Sequence, residues 1–72
     1  FPPDPMRVRV NGEWREFSSE ALDVPALVNE LGLPAALVLV EHNGTALRRS
    51  EWTGRAIREG DIIEILRVAA GG

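Results

Sequence analysis

The sequence runs to 72 residues and closes on Gly71-Gly72, where the group with the most definite chemistry is the α-carboxylate of Gly72. Two glycines at a chain end have a bland explanation, because small residues are tolerated at termini. The functional alternative is a strip without Cβ atoms, Gly71 and Gly72 preceded by the small Ala70, that can thread a narrow channel and present the carboxylate to another protein's active site. A carboxylate is a poor electrophile: its carbonyl carries full negative charge and its leaving group would be oxide. A mixed anhydride with AMP solves this, and a sulfur nucleophile that displaces the AMP leaves a C-terminal thiocarboxylate. No phosphate-cradling GxGxxG or GxxxxGK[ST] loop is present, so a partner must bind the ATP. On this reading the chain is a group carrier and not an enzyme.

The remaining reactive side chains are few. There is no cysteine, which removes disulfides, thiolate metal ligands and a thiol nucleophile together. All eight basic residues are arginine, so no lysine is available for a Schiff base. The single histidine, His42, reads as a water-exposed turn residue beside Asn43, without a companion nucleophile or an orienting acid. No carboxylates stand around it at ligand spacing, so no metal and no bound cofactor is expected. Trp52 reads as packing and not as a stacking platform. Arg48, Arg49 and Arg67 read either as solvated surface charges in weak local pairs or as contacts for acidic groups of a partner.

Composition narrows the classes further. With 44% hydrophobic and 26% charged residues the chain is an ordinary globular one. A chain this short buries only about 60% of its unfolded surface, enough for one core but hardly for a deep pocket as well. The net charge of −3 offers no footprint for nucleic acid or an anionic membrane. The longest apolar run, residues 34 to 40, is too short to span a bilayer, and no signal-peptide pattern is seen. The expected compartment is therefore the cytoplasm.

The elements that must position the chain end follow from periodicity. Residues 1 to 5 hold three prolines and read as a vector-derived or disordered leader before Met6. Arg7 to Val10 alternates with period two and runs into Asn11-Gly12, the strongest short hairpin signal, so a second strand follows over Glu13 to Phe17. Trp14 and Phe17 fall on opposite faces of it, and the pattern does not say which points inward. Asp23 can cap a helix with Pro25 in its first turn, and Gly32 with Pro34 ends it; Leu27, Val28 and Leu31 form its apolar stripe. Leu37 to Glu41 reads as a strand, Asn43-Gly44 as a turn, Thr45 to Leu47 as a short extended piece, and Ile62 to Arg67 as the last strand. Arg48 to Glu59 has no clean period and is expected to hold a short helical turn, with Trp52 plugging the end of the sheet. A hairpin, a helix crossing one face and a final strand returning through the middle make an α+β fold of the β-grasp, ubiquitin-like kind: a mixed sheet of four to five strands with one main helix on one face. The expected layout is one domain over 6–68 and a flexible tail over 69–72.

Glu41 and Glu64 fix the phase of their strands. Val38, Val40, Ile63 and Ile65 then face the helix, while Leu39, Ile62 and Leu66 form an apolar patch on the open face of the sheet. Such a patch is a candidate docking surface for an activating partner. The plain alternative is scattered surface apolar residues or cover from a loop.

From Met6 to Gly72 the sequence resembles the ThiS family of sulfur carrier proteins of thiamin biosynthesis. The resemblance is carried by Val10-Asn11-Gly12-Glu13, Val40-Glu41-His42-Asn43-Gly44, Arg49-Ser50-Glu51-Trp52, Gly60-Asp61-Ile62-Ile63-Glu64-Ile65 and the final Gly71-Gly72, in that order. It departs from the family at Leu47-Arg48-Arg49, where Val-Pro-Arg is common, and at Ala70, where a third glycine often stands. The resemblance implies that an adenylyltransferase related to ubiquitin-activating enzymes adenylates Gly72 using ATP. A cysteine desulfurase or rhodanese-type donor would then supply sulfur, and thiazole synthase would consume it. A carrier for molybdopterin synthesis or tRNA thiolation shares the fold and the Gly-Gly end, and a β-grasp interaction module that never uses its C-terminus is the reading from another class.

Overall fold

The computed structural model describes residues 4–18 and 22–68. Strand β1 covers Met6–Val10 and strand β2 covers Glu13–Phe17. They pair antiparallel, Val10 opposite Glu13 and Met6 opposite Phe17, across a two-residue turn. Asn11 and Gly12 hold φ of 49° and 83°, the positive angles that a turn matching the twist of the strands requires. The register settles the orientation of the aromatic pair. Phe17 shares the face of Val8 and Val10 and is buried, whereas Trp14 shares that of Arg9 and is exposed beside the Arg7 guanidinium, 5.4 Å from the ring centroid.

Helix α1, Val24–Glu30, starts where Asp23 Oδ1 accepts from the Ala26 N–H at 3.0 Å. It ends in a left-handed Gly32 whose N–H bonds to the Asn29 carbonyl, while the Leu33 N–H reaches back to Val28, the paired C-terminal closure that glycine permits. A helix of 7 residues is marginal alone, so packing sustains it. Val24, Leu27 and Val28 are buried against the sheet.

A 3₁₀ turn over Ala35–Leu37 leads into β3, Val38–His42. The strand therefore lies one residue later than periodicity places it: Leu37 closes the turn, bonding its N–H to the Pro34 carbonyl, and β3 runs on through His42. A second Asn-Gly turn joins β3 to β4, Thr45–Leu47. The aperiodic stretch contributes a 3₁₀ turn at Arg49–Glu51, held reciprocally by Glu51 Oε1 on the Arg48 N–H and the Glu51 N–H on the Arg48 carbonyl. Trp52 follows, 3% exposed and in the core, with the Arg49 guanidinium 4.3 Å from its ring centroid. Arg49 also donates to the Ala35 carbonyl, so it fastens the two 3₁₀ turns together.

Strand β5, Ile62–Arg67, lies in the middle of the five-stranded sheet, order β2-β1-β5-β3-β4. It pairs parallel with β1 and antiparallel with β3, which makes the sheet mixed. This is the β-grasp arrangement expected from the pattern. Val8, Val24, Leu27, Val28, Val40 and Ile63 form the fully buried centre between sheet and helix.

The two turn asparagines also clamp β5. Asn11 places Oδ1 on the Ile65 N–H at 2.7 Å and Nδ2 on the Ile65 carbonyl at 3.2 Å. Asn43 places Oδ1 on the Ile62 N–H at 2.8 Å. Side chains thus continue the ladder on both sides of the central strand where the backbone turns away.

Candidate functional site

Alternation along β3 and β5 decides which groups face away from α1. Val38, Val40, Ile63 and Ile65 point to the core and are buried. Leu39, Ile62 and Leu66 point to the open face, at 58%, 46% and 66% exposure. Leu39 and Leu66 are directly opposite each other, as are Glu41 and Glu64. With Ala46 of β4 they edge a shallow groove of about 160 Å³. Ile62 stands apart from that pair, level with Arg9 on β1.

The chain leaves the sheet at the same end. Val38 pairs with Arg67, and the Val68 N–H donates to the Leu37 carbonyl at 2.7 Å. This last bond holds the exit beside Leu39 and Leu66. Gly72, Gly71 and Ala70 lie outside the described residues.

His42 differs from its expectation. It is 7% exposed, not a water-exposed turn residue, because β3 continues through it in the core-facing phase of Val38 and Val40. Its Nε2 lies 2.7 Å from Asp61 Oδ2 and its Nδ1 accepts from Arg55 Nε at 3.0 Å. The orienting acid is Asp61, 19 residues away in sequence, and the period-two continuation Val38-Val40-His42 is the signal that could have pointed to the burial of His42. Asp61 is partly desolvated, which raises its pKa, but hydrogen bonds from His42, the Arg58 N–H and Asn43, with attraction to His42, outweigh this and hold the carboxyl below its ordinary value. The group ties β3, β5 and the loop before β5 together. Arg55 extends the tie to the helix: its carbonyl accepts the Val24 N–H at 3.1 Å. The bonds of the pair join separate parts of the chain, which is structural work.

Among the described residues no group of three or more His, Asp and Glu side chains could hold a metal ion, and no helix is long and apolar enough to cross a membrane. Of the three arginines in question, Arg49 has internal partners, the Ala35 carbonyl and the Trp52 ring.

Comparison with known proteins now decides the lineage. The ThiS family model matches residues 8–72. The chain belongs to the ThiS family. Among solved structures, this ThiS-family chain superposes on the crystal structure of a thiamine biosynthesis protein (ThiS) from Geobacter metallireducens with a TM-score of 0.79 and 32% identity, over 93% of this chain and 100% of that one. A solution structure of a thiamine biosynthesis protein from the same organism gives a TM-score of 0.78 and 33% identity, over 93% of this chain and 88% of that one. In sequence it is 37% identical over 67 residues to a thiazole synthase of Paramagnetospirillum magneticum (strain ATCC 700264 / AMB-1), 93% of this chain. The chain spans about a fifth of the length of that curated relative, 20%.

Proposed function

We propose that this ThiS-family chain is a sulfur carrier for thiamin thiazole synthesis, with the α-carboxylate of Gly72 as its reactive group. The observation that carries the reading is the family match running through to Gly72 in a chain that holds no cysteine, no lysine and no nucleotide-binding loop.

The steps follow from what the chain lacks. A carboxylate oxygen of Gly72 attacks the α-phosphorus of ATP held by an adenylyltransferase partner, and pyrophosphate leaves. The acyl-adenylate is then attacked at carbon by a persulfide of a cysteine desulfurase or rhodanese-type donor, and AMP leaves. Because this chain has no thiol, a partner thiol must cleave the resulting acyl disulfide to free the thiocarboxylate. Thiazole synthase consumes that sulfur. Similarity to a segment of a protein named thiazole synthase supports that assignment.

The chain's own share is geometric. The β5 exit beside Leu37 fixes where the last four residues start, and residues 69–72 can reach at most about 14 Å beyond Val68. Glycine at 71 and 72 leaves no Cβ to collide with a channel. Leu39, Ile62 and Leu66 supply the docking face. Intact-mass measurement after incubation with the adenylyltransferase, ATP and a persulfide donor tests the reading: one oxygen should be replaced by sulfur.

A further inference from the structure

The open face carries an arrangement that the fold itself does not use. Glu41 and Glu64 are directly opposite each other on β3 and β5, in a position where like charges oppose pairing. Neither carboxylate has a hydrogen bond or ion pair among the described residues. The cation that the register brings to this face, Arg9 on β1, is level with Ile62, two residues from Glu64 along β5, and forms no ion pair with either glutamate among the described residues. Two residues along the same strands, Leu39 faces Leu66, and Ala46 lies across from Glu41 on β4. The result is a groove with an apolar end and a doubly acidic end.

We propose that this groove receives an arginine of the adenylyltransferase that activates Gly72, its guanidinium between Glu41 and Glu64 and neighbouring apolar groups on Leu39 and Leu66. This deepens the carrier reading above and rests on it. A guanidinium fits because its planar fork gives five donors to two carboxylates and its weak hydration suits an apolar margin. Location supports the same partner. An enzyme that grips Gly72 must come within about 14 Å of Val68, and Val68 is held beside Leu37, at the Leu39–Leu66 end of the groove. A second copy of the chain is the weaker occupant. Five strands of about five residues present roughly 400 Å², half of what a standard interface takes from each partner, whereas the adenylyltransferase adds its contacts to the tail.

The test compares the wild type with the Glu41→Gln/Glu64→Gln double variant against the adenylyltransferase of the same organism, by calorimetric titration and by ATP–pyrophosphate exchange. The expected result is a Kd and a KM raised about tenfold with a flatter salt dependence, kcat within about twofold, and a urea midpoint equal to or above the wild type. A double variant that binds as tightly as the wild type overturns the proposal. So does a wild type that sediments as a dimer while the double variant is monomeric, because the occupant is then a second copy. A wild type that binds the enzyme but is never adenylated contradicts the carrier reading instead, and leaves the effect of the two carboxylates on Kd to decide this one.

Discussion

His42 Nε2 lies 2.7 Å from Asp61 Oδ2 while the opposite ring nitrogen accepts the Arg55 Nε proton at 3.0 Å. Arginine has protons to give and no lone pair to accept with. In the neutral ring, then, Nδ1 is the unprotonated nitrogen and Nε2 donates its proton in a hydrogen bond to Asp61. At pH 8, long-range proton–nitrogen correlation should show a protonated Nε2 and a pyridine-like Nδ1. The reverse tautomer would mean that the Arg55 contact does not form.

Asp61 makes stability depend on pH. Its folded pKa lies below the unfolded value near 3.8, so its contribution is fully present above that value and is lost as pH falls through the lower, folded one. In urea unfolding, Asp61→Ala should cost about 2–3 kcal/mol at pH 6, where three hydrogen-bonding partners lose their acceptor. The gap to wild type should hold down to about pH 5 and narrow below about pH 4. A gap that widens on acidification would contradict the assignment.

Asn11 combines two roles that substitution separates. Gly at this position keeps the positive φ of the turn but deletes both bonds to Ile65, whereas Ala deletes the bonds and strains the turn. Asn11→Gly should cost about 1–2 kcal/mol, and Asn11→Ala about 1 kcal/mol more, both read from urea midpoints. Equal costs would show that the turn angle matters little.

Trp52 and Leu66 form a contrasting pair. Trp52 is in the core, so Trp52→Ala should cost about 3–5 kcal/mol, a large part of what so small a domain has. Leu66 is 66% exposed, so Leu66→Asp should shift stability by no more than about 0.5 kcal/mol while raising KM for adenylation. Normal activation of Leu66→Asp would remove the open face from the docking surface.

Much of this architecture was legible because it rests on local rules. Two Asn-Gly turns, an Asp cap with proline behind it, and a Gly-Pro stop mark their elements without any tertiary information. Alternation anchored on Glu41 and Glu64 assigned the faces of β3 and β5. What escaped was what long-range pairing decides. Trp14 and Phe17 needed the β1–β2 register. Leu37 went to a 3₁₀ turn because its N–H finds the Pro34 carbonyl. The burial of His42 needed Asp61, 19 residues away, and the second use of Asn11 needed Ile65, 54 residues away. A single residue's type does not announce such partners.

The central claim is that Gly72 carries sulfur. Intact-mass and C-terminal fragment analysis, after incubation with the adenylyltransferase, ATP and a persulfide donor, tests it most directly. The account expects one oxygen of Gly72 exchanged for sulfur in the wild type and no exchange in a chain extended by one residue. A wild type left unaltered, or an extended chain loaded equally well, would contradict it.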